Sequence, residues 1–167
     1  PGTLPVPMIV GLGAAAELSA QVVHSGEPER QRQLRDRLLK GLREGVGGVS
    51  VNGSMERRLA HNLNISIDDV ESQALMMNVR HELAVSSGSA CSSETLTPSF
   101  VLKALGVSDQ RAFASVRFGL GRSTTVEQVD HAVNVMTREV EALRALSPMR
   151  DLVGSTLGPT SGSSGVP

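Results

Sequence analysis

The sequence predicts a small α/β sandwich, with helices packed over a short sheet. Three observations lead there. Leu34, Leu38 and Leu42 recur at helical spacing, and so do Val129, Val133, Met136, Val140 and Leu143. Between these stripes, Leu63, Ile65 and Ile67 alternate with Asn62, Asn64 and Ser66, the pattern of a half-buried strand. Glycine and serine clusters punctuate the runs, as turns require.

The elements follow in order. Met8 to Val23 is apolar on nearly every side and reads as a helix of the kind that packs between other elements, one that the rest of this chain is expected to cover poorly. Its Gly11 and Gly13 each cost about 1 kcal/mol relative to Ala in a helix, so close packing is the expected reason for them. His24-Ser25-Gly26 breaks the chain, and Pro28 suits the first turn of a second helix. Asp36 and Lys40 are spaced for an ion pair on it, and Gly45, Gly47 and Gly48 end it. Val49 and Val51 predict a short strand, and Asn62 to Ile67 a second. Val70 to Val79 reads as a helix and Leu83-Ala84-Val85 as a buried strand. Pro98 to Leu105 predicts a short helix stopped by Gly106, and Phe113 to Phe118 a strand. On that strand Val116 and Phe118 share one face with Ala114, and Arg117 lies on the other with Phe113 and Ser115. Thr125 and Gln128 have capping-box spacing ahead of the last helix, which ends near Pro148. Beyond it the tail is rich in Gly, Ser, Thr and Pro and is expected to be disordered.

The 167 residues suffice for one domain with a core, and 40% hydrophobic with 20% charged residues is a globular composition. A net charge of -1 argues against a nucleic-acid or polybasic membrane surface. The single cysteine excludes an internal disulfide and fits a reducing compartment. No apolar run is expected to reach the roughly 18 residues that cross a bilayer. The opening Pro1-Gly2-Thr3-Leu4-Pro5 reads as the interior of a longer chain.

Few residues carry chemistry. Cys91 sits among small residues, Ser86 to Ser93, in a segment expected to be mobile as far as Ser99. An idle cysteine in a turn is the plainer reading, because no cation within three positions would lower its pKa. Arg117, fixed on a strand, has the geometry to grip a carboxylate through two parallel hydrogen bonds; a solvated surface arginine is the competing reading. Arg122 is similar, and the Gly119-Leu120-Gly121 before it reads as a turn. His24, His61, His81 and His131 show no metal-ligand spacing, and Lys40 and Lys103 read as solvated helix charges.

Several stretches, in order, resemble the cysteine desulfurases of the iron–sulfur-cluster and nitrogen-fixation type. They are Gly2-Thr3-Leu4-Pro5-Val6 with Ile9-Val10-Gly11, Asn62 to Ser66, and Leu83 to Cys91 continuing through Pro98 to Gly106. Ser115 to Arg122 with Thr124-Thr125, and Leu143 to Pro148, complete the set. The resemblance implies the small C-terminal α/β sandwich domain of a fold type I pyridoxal-phosphate enzyme. Residues 1–24 would be the end of the large cofactor-binding domain and a connecting helix, 25–148 the small domain with a persulfide loop, and 149–167 a disordered tail.

It also implies roles. Cys91 falls on the nucleophile that takes sulfur from L-cysteine as a persulfide, leaving L-alanine, and can ligate a transient iron–sulfur cluster. Arg117 falls on the substrate-carboxylate clamp, and Thr3 on a residue reaching the cofactor phosphate of the partner subunit. Implied partners are L-cysteine, a second copy in a homodimer, an iron–sulfur scaffold protein and other sulfur acceptors, with no nucleic acid or membrane. The compartment would be the cytoplasm, or the mitochondrial matrix in a eukaryote. The family's Schiff-base lysine lies outside this chain, so the chain alone is expected not to hold the cofactor covalently. The competing readings are a truncated or split desulfurase acting as a sulfur-relay or partner-binding module, and a selenocysteine lyase. The long cysteine segment argues against the last.

Overall fold

The computed structural model describes residues 2–87 and 97–146. Ten elements run in the order α1 (Val6–Val23), α2 (Glu27–Val46), β1 (Val49–Val51), β2 (Asn62–Ile67), α3 (Ser72–Val79), β3 (Ser86–Ser87), α4 (Phe100–Ala104), α5 (Asp109–Phe113), β4 (Ser115–Gly119) and α6 (Val126–Leu146). The four strands form an antiparallel sheet in the order β1-β2-β4-β3.

Alternation along the strands divides the sheet into two unlike faces. Leu63, Ile65 and Ile67 of β2 and Val116 and Phe118 of β4 turn to one side and are buried. There they meet Leu34, Leu38 and Leu42 of α2, Leu75 and Val79 of α3, and Val129, Met136 and Val140 of α6, which together form one core. The opposite face carries Asn64 and Ser66 on β2 and Ser115 and Arg117 on β4. Burial on one face and polar residues on the other is what the period-2 pattern requires.

The α2–α6 pair closes the apolar side. At Gly41, an added Cβ would stand 2.8 Å from Val133 Cγ2, and at Gly45 it would stand 2.5 Å from Thr137 Oγ1. Two glycines of α2 thus let the helices approach closely. Gly47 caps α2 with φ 66, a backbone region that glycine enters without penalty. Arginines tie both ends of the pair. Arg30 binds Glu27 through two 2.7 Å bonds and donates to the Thr124 and Arg122 carbonyls ahead of α6. Arg144, near the end of α6, donates to the carbonyls of Val46 and Asp68 at 2.6 and 2.7 Å. The α6 capping box is present: Gln128 N donates to Thr125 Oγ1 and Thr125 N to Gln128 Oε1.

Five sequence expectations change. Leu83 to Val85 is irregular, with Leu83 and Val85 packed on the core, while the ladder forms at Ser86–Ser87. Phe113 ends α5 and does not open β4, because the strand begins where Ser115 can pair with Ser66. Gly45 lies inside α2 and does not end it, because close approach to α6 is its use there. Asp36 pairs with the adjacent Arg35 and Lys40 with Glu44, so the expected Asp36–Lys40 pair does not form. Finally, α1 is a helix of 18 residues, long and apolar enough to cross a membrane by length and composition. None of its residues is buried, as expected of a helix that the rest of this chain covers poorly.

Candidate functional site

The polar face of the sheet is where side chains converge without filling the space between them. A pocket of about 360 Å³ opens over it, within the range of small-molecule sites. Its floor is Asn62 and Asn64 of β2 with Arg117 of β4; its walls are the 52–59 loop on one side and Ser99, Val101, Leu102 and Leu105 around α4 on the other. Among the described residues the lining includes Arg57, Arg58 and Arg117 and no aspartate or glutamate. Three guanidinium groups with no carboxylate beside them among the described lining residues favour an anion here.

Arg117 is placed by register. It sits opposite Asn64 of β2 on one side and Ser86 of β3 on the other. Val116 and Phe118 anchor its strand in the core, so Arg117 is held on the polar face as the alternation predicts. Its side chain is exposed, and among the described residues it makes no hydrogen bond or ion pair. A fixed guanidinium with free donors can take a carboxylate in bidentate fashion.

The 52–59 loop is fastened by Arg58, whose Nε donates to the Ser54 carbonyl at 2.6 Å and whose Nη2 donates to the Asn52 carbonyl at 2.7 Å. Burial, and secondarily the charge of Arg35, push its pKa below the ordinary arginine value, yet an arginine keeps its proton in proteins. Beneath the loop runs a side-chain network. Arg111 of α5 donates to Asn52 Oδ1 at 3.2 Å, and Asn52 Nδ2 donates to Asn64 Oδ1 and Ser66 Oγ, both at 2.8 Å. Ser66 Oγ in turn donates to the Arg111 carbonyl at 2.7 Å. The network locks the start of the loop after β1 to β2 and α5 below the pocket.

Cys91 lies outside the described residues. Ser87 and Ser99, on either side of it in sequence, both line the pocket with Arg117. Thr3 is exposed in the stretch before α1 and is not part of the lining. Arg122 stands in the turn before α6, its carbonyl taken by Arg30. Among the described residues no cluster of His, Cys, Asp or Glu could hold a metal. Neither lysine enters the pocket: Lys40 pairs with Glu44 and Lys103 with Asp109, both at the surface. The pocket therefore has no amine from this chain to bind an aldehyde cofactor covalently.

Sequence reasoning missed Asn52, Asn64, Arg57 and Arg58. The usable signal was parity: Asn62 and Asn64 fall on the strand face that Arg117 shares.

Comparison with known proteins adds to this geometry. A family model described as Aminotransferase class-V matches residues 1–132, a span that includes α1. Over 152 residues the chain is 51% identical to Cysteine desulfurase IscS of Anaeromyxobacter sp. (strain Fw109-5), covering 91% of this chain and 37% of that protein. Over 151 residues it is 52% identical to Cysteine desulfurase IscS of Haemophilus influenzae (strain PittEE), covering 90% and 37%. Among solved structures, a NifS-like protein from Rickettsia africae ESF-5 superposes with a TM-score of 0.72 at 25% identity, over 84% of this chain and 36% of that one. DndA from Streptomyces lividans matches with a TM-score of 0.50 at 34% identity, over 71% and 32%. The chain thus spans a little over a third of the length of the curated relatives it matches, at 37%.

Proposed function

This chain belongs to the aminotransferase class-V family, and from that premise we propose that the protein containing it is a cysteine desulfurase. The observation that carries the reading is the placing of Arg117. Among the described residues its guanidinium has no partner, and it lies in a pocket bounded by Ser87 and Ser99, which flank Cys91 in sequence.

Arg117 clamps the carboxylate of L-cysteine and so fixes the direction of its side chain. The thiolate of Cys91 then attacks the substrate sulfur. A sulfur–sulfur bond forms, the carbon–sulfur bond breaks with its electron pair left on carbon, and that carbon takes a proton to give L-alanine. The enzyme keeps the sulfur as a persulfide. Pyridoxal phosphate, which class-V enzymes use in general, supplies an electron sink when bound. Because neither lysine of this chain enters the pocket, the cofactor's covalent anchor belongs to the length of the relatives not spanned here.

The same reading assigns Thr3 to the cofactor phosphate of a partner subunit, and so a homodimer. It assigns Cys91 to delivery of sulfur, and to transient cluster ligation, on an iron–sulfur scaffold protein and other acceptors. The nucleophilic thiol has to stay reduced between turnovers, which fits the cytoplasm, or the mitochondrial matrix in a eukaryote. Replacing Cys91 tests the core of this. In the intact protein Cys91→Ala abolishes sulfide release from L-cysteine while L-cysteine still binds. Full activity in that variant overturns the assignment.

A further inference from the structure

The orientation of Asn64 follows from a chain of hydrogen bonds that begins at an atom with no choice. Arginine only donates, so the atom of Asn52 that meets Arg111 Nη2 at 3.2 Å has to be its amide oxygen. The amino group of Asn52 then faces β2 and donates to Ser66 Oγ and to the side chain of Asn64, each at 2.8 Å. The atom of Asn64 that accepts has to be its oxygen. What remains is the Asn64 amino group. Asn64 lines the pocket directly opposite Arg117, and among the described residues its amino hydrogens meet no acceptor.

We propose that Asn64 is a second carboxylate-binding residue, presenting its side-chain amino group to the anion that Arg117 grips, with Arg111 and Asn52 fixing that orientation. The inference rests on the desulfurase reading of the pocket and deepens it. Arg117 alone would hold one edge of a carboxylate. A donor across the ladder fixes the plane of the group and sets the direction in which the rest of the amino acid projects. It also makes the floor a donor surface that selects a carboxylate over an uncharged amide, because an amide would set its own donors against those of the site.

Asn64→Asp is the discriminating variant. It keeps the oxygen that Asn52 needs, preserves side-chain shape, and turns only the pocket-facing donor into an anionic acceptor. In the full-length protein loaded with pyridoxal phosphate, KM for L-cysteine and the calorimetric Kd for L-alanine rise by about ten-fold or more. The value of kcat stays within about three-fold, since the reacting sulfur is not touched. Asn64→Ala, which leaves a neutral gap, gives a rise of about three- to ten-fold and serves if the Asp variant does not fold. Arg117→Ala reports on the pocket itself. If it leaves both constants unchanged, the desulfurase clamp falls and this inference falls with it. If Arg117→Ala raises them while every Asn64 variant that folds leaves them within two-fold, Asn64 is not a ligand and the clamp stands.

Discussion

Gly41 faces Val133 across the α2–α6 contact with no room for a side chain: a methyl group there would stand 2.8 Å from Cγ2 and 3.0 Å from Cγ1 of the valine. Valine is stiff at χ1 and cannot turn both methyls away. Gly41→Ala therefore destabilises the fold by about 1–3 kcal/mol, even though alanine is the better helix former by roughly 1 kcal/mol. Urea denaturation reads the loss. Combining it with Val133→Ala recovers part of it, a coupling that two independent sites would not show.

Arg144 is expected to clamp the end of α2. Its bonds to the Val46 and Asp68 carbonyls satisfy acceptors that the helix end and the turn after β2 leave open, and its charge opposes the negative end of the helix. Arg144→Met costs about 1–2 kcal/mol in the same denaturation experiment. Equal stability of variant and parent would mean that water replaces the guanidinium there without loss.

Acid should loosen the same helix pair. Hydrogen bonds from Arg30 and Arg37 hold the carboxyls of Glu27 and Asp130 below their ordinary values of 4.5 and 3.8. A carboxyl depressed in the folded state adds stability that is complete above its unfolded value and is lost as pH falls through the folded one. The melting temperature is thus flat down to about pH 5 and drops below it, less steeply in high salt because the Arg37–Asp130 pair is open to solvent. Asp130→Asn flattens part of the drop. An unchanged acid slope in that variant would remove Asp130 from the account.

The 167-residue chain alone, mixed with pyridoxal phosphate and dialysed, should keep no visible absorption band. Both lysines are engaged with carboxylates at the surface, away from the pocket. A band that survives dialysis would reveal a cofactor site that the pocket geometry does not provide.

Arg117→Ala in the intact protein should weaken binding of L-cysteine by about 1.5–3 kcal/mol, the range for hydrogen bonds to a charged group. Cysteamine, which lacks the carboxylate, serves as the control. A loss of the same size for cysteamine would show that Arg117 acts on something other than the carboxylate.

Long periodic elements were legible in the sequence, and so was the face on which Arg117 stands. The stripe of Leu34, Leu38 and Leu42 and the alternation through Leu63, Ile65 and Ile67 each repeat often enough to fix a period. α5 has five residues, too few for a period to show. β3 was placed three residues early because Leu83 and Val85 are apolar. A ladder follows hydrogen-bond register, and here Arg117 and Val116 pair with Ser86 and Ser87. Asn52 and Arg111 stand 59 positions apart, so no local pattern could connect them. Arg58 acts through backbone carbonyls of its own loop, which no side-chain motif encodes.

The two-faced sheet has an evolutionary corollary. Leu63, Ile65, Val116 and Phe118 answer to the requirement that the chain fold, while Asn64 and Arg117, one step away along the same strands, answer to what the pocket must hold. A substitution at Arg117 removes no core contact, so it alters recognition at little expense to folding. Lineages can drift in ligand preference through the outward positions without first acquiring a compensating change inside. Residues at odd and even positions of β2 and β4 then carry separate histories, and aligned relatives should show them varying independently.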